Sequence, residues 1–135
     1  MQDRTFHLEI RTPEKLVYEG EVVSLRVPGI QGALGILAGH IPFLTVLESG
    51  EIRIRESDAP QSLATSGGVL EVLRTGTTLL AETAEWAYEI NVERAESARQ
   101  RALAVLASRD DSVNWAEAEA ALARAQNRLL VARTR

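Results

Sequence analysis

Glycine and proline divide this chain in two. All nine glycines and all four prolines lie in residues 1–88, and residues 89–135 contain neither. Proline fixes φ and removes an N–H, and glycine in a helix interior costs roughly 1 kcal/mol relative to alanine. Both therefore punctuate strands and turns, and their absence over a long run favours helix. Charge divides at the same place: seven basic and twelve acidic residues precede it, eight and seven follow. The predicted organisation is α+β, with an antiparallel β-sandwich over 1–88 and a two-helix antiparallel hairpin over 89–135. A chain of 135 residues, 45% of them hydrophobic, is long enough for one packed core and an appendage.

Period-two alternation marks the strands. Phe6–Ile10, Val23–Val27 and Ile52–Arg55 alternate cleanly, and Leu16–Tyr18, Leu34–Leu37, Leu44–Leu47, Ser62–Thr65, Val69–Leu73 and Thr78–Ala81 are further candidates. Turn pairs such as Pro28-Gly29, Ser49-Gly50, Gly67-Gly68 and Thr75-Gly76 separate them. In the second part, Asn91 is placed to cap a helix whose Ala95, Ala98, Ala102, Val105 and Leu106 share a face. Ser108–Ser112 breaks the pattern. Asn114 with Glu117 then resembles a capping box, followed by Trp115, Ala118, Leu122, Ala125, Leu129 and Ala132 at spacings of three and four. A mostly alanine seam buries little apolar area, so the hairpin is either a permanent pair or an element able to detach and re-dock.

Several classes of function are excluded or disfavoured. A net charge of −4 and 4% aromatics are wrong for a phosphate-tracking or base-stacking surface, so no nucleic-acid partner is expected. Without cysteine there is no disulfide, thiolate nucleophile or Cys-built zinc site, and no other metal motif is present. No stretch is apolar enough to span a membrane, and the polar Met1–Thr5 does not read as a secretory signal. No serine or carboxylate pair stands with a convincing base, so no catalytic residues are predicted. His7, in an alternating strand, reads as a structural or surface residue. His40 is a contact residue or an ordinary turn histidine.

Two constellations remain. The run Pro28–Leu44 is glycine-rich without the spacing of a dinucleotide loop, and reads either as tight turns or as a contact surface. Arg94 and Arg101 share one helical face and Arg124 and Arg128 another. Paired helices would let these arginines converge on an anion, or else pair with Glu93, Glu117 and Glu119.

The segment Gly32–Thr45, with Gly50-Glu51-Ile52-Arg53-Ile54, Ser66–Val72 and Arg124–Leu129 in that order, resembles the epsilon subunit of the F-type ATP synthase. That resemblance implies a non-catalytic central-stalk subunit that couples ring rotation to the catalytic head, with no cofactor required. It implies a sandwich bound to the gamma subunit and seated against the membrane-embedded rotor ring. It implies also a hairpin that reaches the alpha and beta subunits when extended and opposes ATP hydrolysis. By position, the loop that carries the glycine block and histidine contributes Gly29, Gln31, Gly32, Ala33, Gly35 and His40 to partner contact. Ala33 stands where some members have a carboxylate. The implied location is peripheral, on the cytoplasmic face of a bacterial membrane.

Some members bind ATP on the folded hairpin through an Ile-Asp-x-x-Arg-Ala pattern. The matching run here is Ile90-Asn91-Val92-Glu93-Arg94-Ala95, with Glu85, Arg101, Arg124 and Arg128 at the other implied positions and Asn91 in place of the aspartate. An ATP-sensing hairpin, with ATP as a regulatory ligand, is thus the second expectation.

Overall fold

The computed structural model describes residues 4–57 and 59–135; Met1–Asp3, part of the polar start, and Asp58 lie outside it. Ten strands come first: β1 (Phe6–Arg11), β2 (Leu16–Val22), β3 (Ser24–Gly29), β4 (Gly32–Leu37), β5 (Phe43–Leu47), β6 (Gly50–Arg55), β7 (Pro60–Thr65), β8 (Gly68–Leu73), β9 (Gly76–Ala81) and β10 (Ala84–Trp86). A 3-10 turn over Ala87–Glu89 leads into α1 (Val92–Ser108) and α2 (Trp115–Ala132).

One layer runs β4-β3-β6-β7-β10 and the other β5-β8-β9-β1-β2, and a single paired position, Gly29 with Leu47, joins them. All pairings are antiparallel except β1 with β9. Leu25, Val27, Ile36, Ile52, Ile54 and Leu63 from the first layer meet Leu8, Ile10, Val22, Leu47, Leu70, Val72, Leu79 and Ala81 from the second in one buried cluster. Two inner faces sharing one core make a β-sandwich. Gly50, at the start of β6, has no room for a side chain, because a Cβ there would collide with the Pro28 ring.

The lateral edges differ. Where β2 and β10 end the two layers, Tyr18 and Trp86 meet edge-to-face at 6.1 Å and Tyr88 stacks on Trp86 at 5.9 Å. Tyr18 Oη donates to Glu56 at 2.8 Å. Burial, and then this bond, push the Tyr18 hydroxyl well above the usual tyrosine range. Among the described residues, no aromatic pair clamps β4 to β5 in this way.

Asn91 caps α1 as expected, its Oδ1 accepting from Arg94 N at 3.0 Å, and Asn114 caps α2 by accepting from Glu117 N at 3.1 Å. The box at α2 is only half formed: the Glu117 carboxylate takes Arg124 Nη2 at 2.8 Å instead of turning back. Arg109 ends α1 in the left-handed region at φ 55°. Asp110 then accepts from Ser112 N and Oγ, which lowers its pKa. On the exposed side of α1, hydrogen bonds from Arg99 and Gln100 hold Glu96 ionised down to a pKa of about 2.

The seam between the helices is alanine: Ala95 and Ala102 of α1, Ala118 and Ala125 of α2. Val105 and Trp115 were expected in it and are instead exposed, at 36% and 39%. Leu106, expected on the same face, is partly buried. Trp115 is the first residue of α2, beside the inter-helix turn, where the seam has run out.

Candidate functional site

The hairpin docks on β7. This strand is buried on both faces: Leu63 points into the sandwich core, while Ala64 joins Ala87, Ile90, Val131 and Ala132 in a second cluster. Polar contacts surround that small apolar patch. Asn127 Nδ2 donates to Gly50 O at 2.8 Å and lies 3.5 Å from Thr65 O. Arg128 Nε stands 3.1 Å from Glu85 Oε1, and Arg135 Nη1 donates to Ile90 O at 3.3 Å.

Beside the patch is a cleft of about 370 Å³ lined by Glu85, Arg124, Asn127 and Arg128 together with Thr65, Ser66, Glu82 and Thr83. Glu85 Oε1 is buried and ion-paired with Arg128 without hydrogen-bond alignment. Two guanidinium groups beside one carboxylate can hold an anion and accept a donor on the same ligand. Of the eight residues predicted for nucleotide, Glu85, Arg124 and Arg128 line this cleft. Ile90 and Ala95 are buried in packing, the Asn91 side chain is engaged in its cap, and Arg94 and Arg101 are exposed on α1 away from the lining. The two arginine pairs therefore do not converge: α2 supplies its pair to the cleft and α1 does not. Among the described residues no group of three or more His, Asp or Glu side chains is arranged to hold a metal ion.

The partner-contact set is spread along a strand rather than gathered on one loop. Ile30 and Gln31 form a two-residue turn closed by the pair Gly29 and Gly32, and Gly32 adopts φ 125° there. Ala33 and Gly35 are exposed along β4. His40 lies beyond the other end of β4, its ring against Phe43 at 4.8 Å and its Nδ1 3.1 Å from Ile41 O. At roughly 3.3 Å per strand residue, the glycine turn and the histidine are at opposite ends of the sandwich. What unites them is composition. No Asp, Glu, Lys or Arg occurs between Arg26 and Glu48, and this segment exposes Ile30, Leu37, Ile41, Leu44 and Val46. His7, by contrast, is a surface residue held between Glu19 and Glu21 at 3.1 and 3.6 Å.

The model of the ATP synthase delta/epsilon chain β-sandwich domain matches residues 5–87, and that of the long α-helix domain of the same chains matches residues 89–133. The chain belongs to this family. Relatives named ATP synthase epsilon chain include those of Syntrophomonas wolfei, 42% identical over 96% of this chain and 95% of its own length, and Moorella thermoacetica, 44% identical over 95% and 96%. They are accessory rather than catalytic subunits, and so is this family member. A chain in the structure of the Euglena gracilis mitochondrial ATP synthase, covering OSCP, F1 and c-ring, shares the fold at a TM-score of 0.83. It is 22% identical, with 97% of this chain and 82% of that one aligned. No helix among the described residues is long and apolar enough to cross a membrane.

Sequence reasoning missed Asn127 and the two-faced burial of β7. Asn127 sits between Arg124 and Arg128 on what reads as a solvated polar stripe. Only its spacing of four from Val131 signals that the stripe continues into an apolar contact.

Proposed function

We propose that this chain is a central-stalk subunit that couples rotation of the membrane-embedded ring to the catalytic head and restrains ATP hydrolysis through its hairpin. The observation that carries this reading is the contrast between the two parts. The sandwich closes its own core of fourteen buried residues, whereas the hairpin rests on it through five, three of them alanine. At about 25 cal/mol per Å², so small an apolar patch holds the hairpin far less firmly than the sandwich holds itself. The docked hairpin leaves rotation free; released, it extends along the gamma subunit toward the alpha and beta subunits. The uncharged β4–β5 side is the surface offered to gamma and to the ring, which fixes the chain peripherally on the cytoplasmic face of the membrane.

Truncation after Tyr88 tests the regulatory part. Complexes assembled with residues 1–88 should form normally and hydrolyse ATP several-fold faster than complexes with the whole chain. Unchanged hydrolysis would remove inhibition from the function, and failure of assembly without the chain to impair coupling would remove the stalk assignment.

The cleft lined by Glu85, Arg124 and Arg128 favours a second role, an ATP-responsive hairpin. Calorimetric titration of the isolated chain should then show ATP-dependent heat that Arg128→Ala abolishes, since this removes one of the two guanidinium groups lining the cleft. No heat at millimolar ATP rejects this role.

A further inference from the structure

We propose that Asn127 is the positioning residue that latches the hairpin to the sandwich, and that loss of its contacts to the β6–β7 backbone is what frees the hairpin. The proposal rests on the reading of the hairpin as a mobile element. Gly50 and Thr65 are paired across β6 and β7 at the open end of that ladder, and Asn127 Nδ2 addresses both carbonyls at once, at 2.8 and 3.5 Å. A carboxamide nitrogen carries two hydrogens; a carboxylate has none and a hydroxyl one. The receiving groups cannot easily shift, because Gly50 is wedged under Pro28 and Thr65 is also paired with Ala84 of β10. Half-buried and reaching 77 positions back along the chain, this bond ties α2 to the sheet beside a small apolar patch and the Arg128–Glu85 ion pair.

The chain lacks cysteine, so two introduced cysteines can be labelled without background. Gln61→Cys at the exposed start of β7 and Ser112→Cys in the inter-helix turn, carrying a fluorescent or spin-label pair, read the distance from sandwich to hairpin in the full-length chain. Asn127→Ala should raise the undocked fraction about five- to tenfold, the equivalent of roughly one to one and a half net hydrogen bonds. Asn127→Asp should raise it further, because a carboxylate would face two carbonyl oxygens, and the exposed neighbour Gln126→Ala should not move it. Helical circular dichroism and the melting of the sandwich should stay as they were. A distance distribution unchanged in both Asn127 variants overturns the proposal, as does a shift that appears only with loss of helix or a lower sandwich melting point. ATP hydrolysis does not enter this test, so the latch fails on the distance alone and the inhibitory role fails on hydrolysis alone.

Discussion

Leu63→Ala should destabilise the sandwich by about 2–5 kcal/mol and lower its melting temperature by on the order of 10 °C or more, read by calorimetry or chemical denaturation. Leu63 is fully buried at the centre of β7, paired with Ile52 on one side and Trp86 on the other. Truncation removes its transfer energy and leaves a cavity that neighbouring strands cannot close, since each is tied into the ladder. The same strand carries Ala64 under the hairpin, so loosening β7 also weakens docking. Leu44→Ala is the contrast. Leu44 is 68% exposed on β5, and its loss should change stability by no more than roughly 0.5 kcal/mol. Comparable losses from the two variants would mean that the inner face has been assigned wrongly.

Leu63 also shows where the sequence stops being legible. Alternation in β1, β3 and β6 predicts their buried residues because one face of each meets the core and the other meets water. In β7 the stretch Ser62-Leu63-Ala64-Thr65 is buried throughout, on one face by the sandwich and on the other by α2. No period survives when both faces are covered, and the buried Ser62 hydroxyl bonding Glu51 at 2.6 Å reads as surface. The same limit applies to the cleft. Helical spacing correctly puts Arg124 and Arg128 on one face, but whether α1 adds Arg94 and Arg101 depends on how the helices turn about an alanine seam. Small side chains specify that rotation only loosely. β10 is three residues long and went unseen because its pattern is shorter than any period can show. The β4–β5 segment was noticed for its glycines, whereas its exposed apolar side chains and lack of charge are what set it apart in the fold.

Val131→Asp should separate the presence of the hairpin from its position. Val131 is 1% exposed in the docking patch, between Ala64 and Ile90 in the same cluster. Burying a carboxylate there without a partner costs several kcal/mol, more than a patch of this size supplies. The sandwich core contains no part of Val131, so its melting should be unchanged while protease sensitivity within residues 89–135 rises sharply. On the function proposed above, the undocked hairpin is the inhibitory form in the assembled complex. Val131→Asp should therefore slow ATP hydrolysis, whereas truncation after Tyr88 should speed it. Opposite signs from two changes that both abolish docking are difficult to obtain from damage alone, because damage would move both the same way. Faster hydrolysis in both would mean that the docked hairpin, rather than the released one, restrains the head. The folded arrangement with Asn127 on the β6–β7 backbone would then be the inhibited state, and the direction of the switch would reverse.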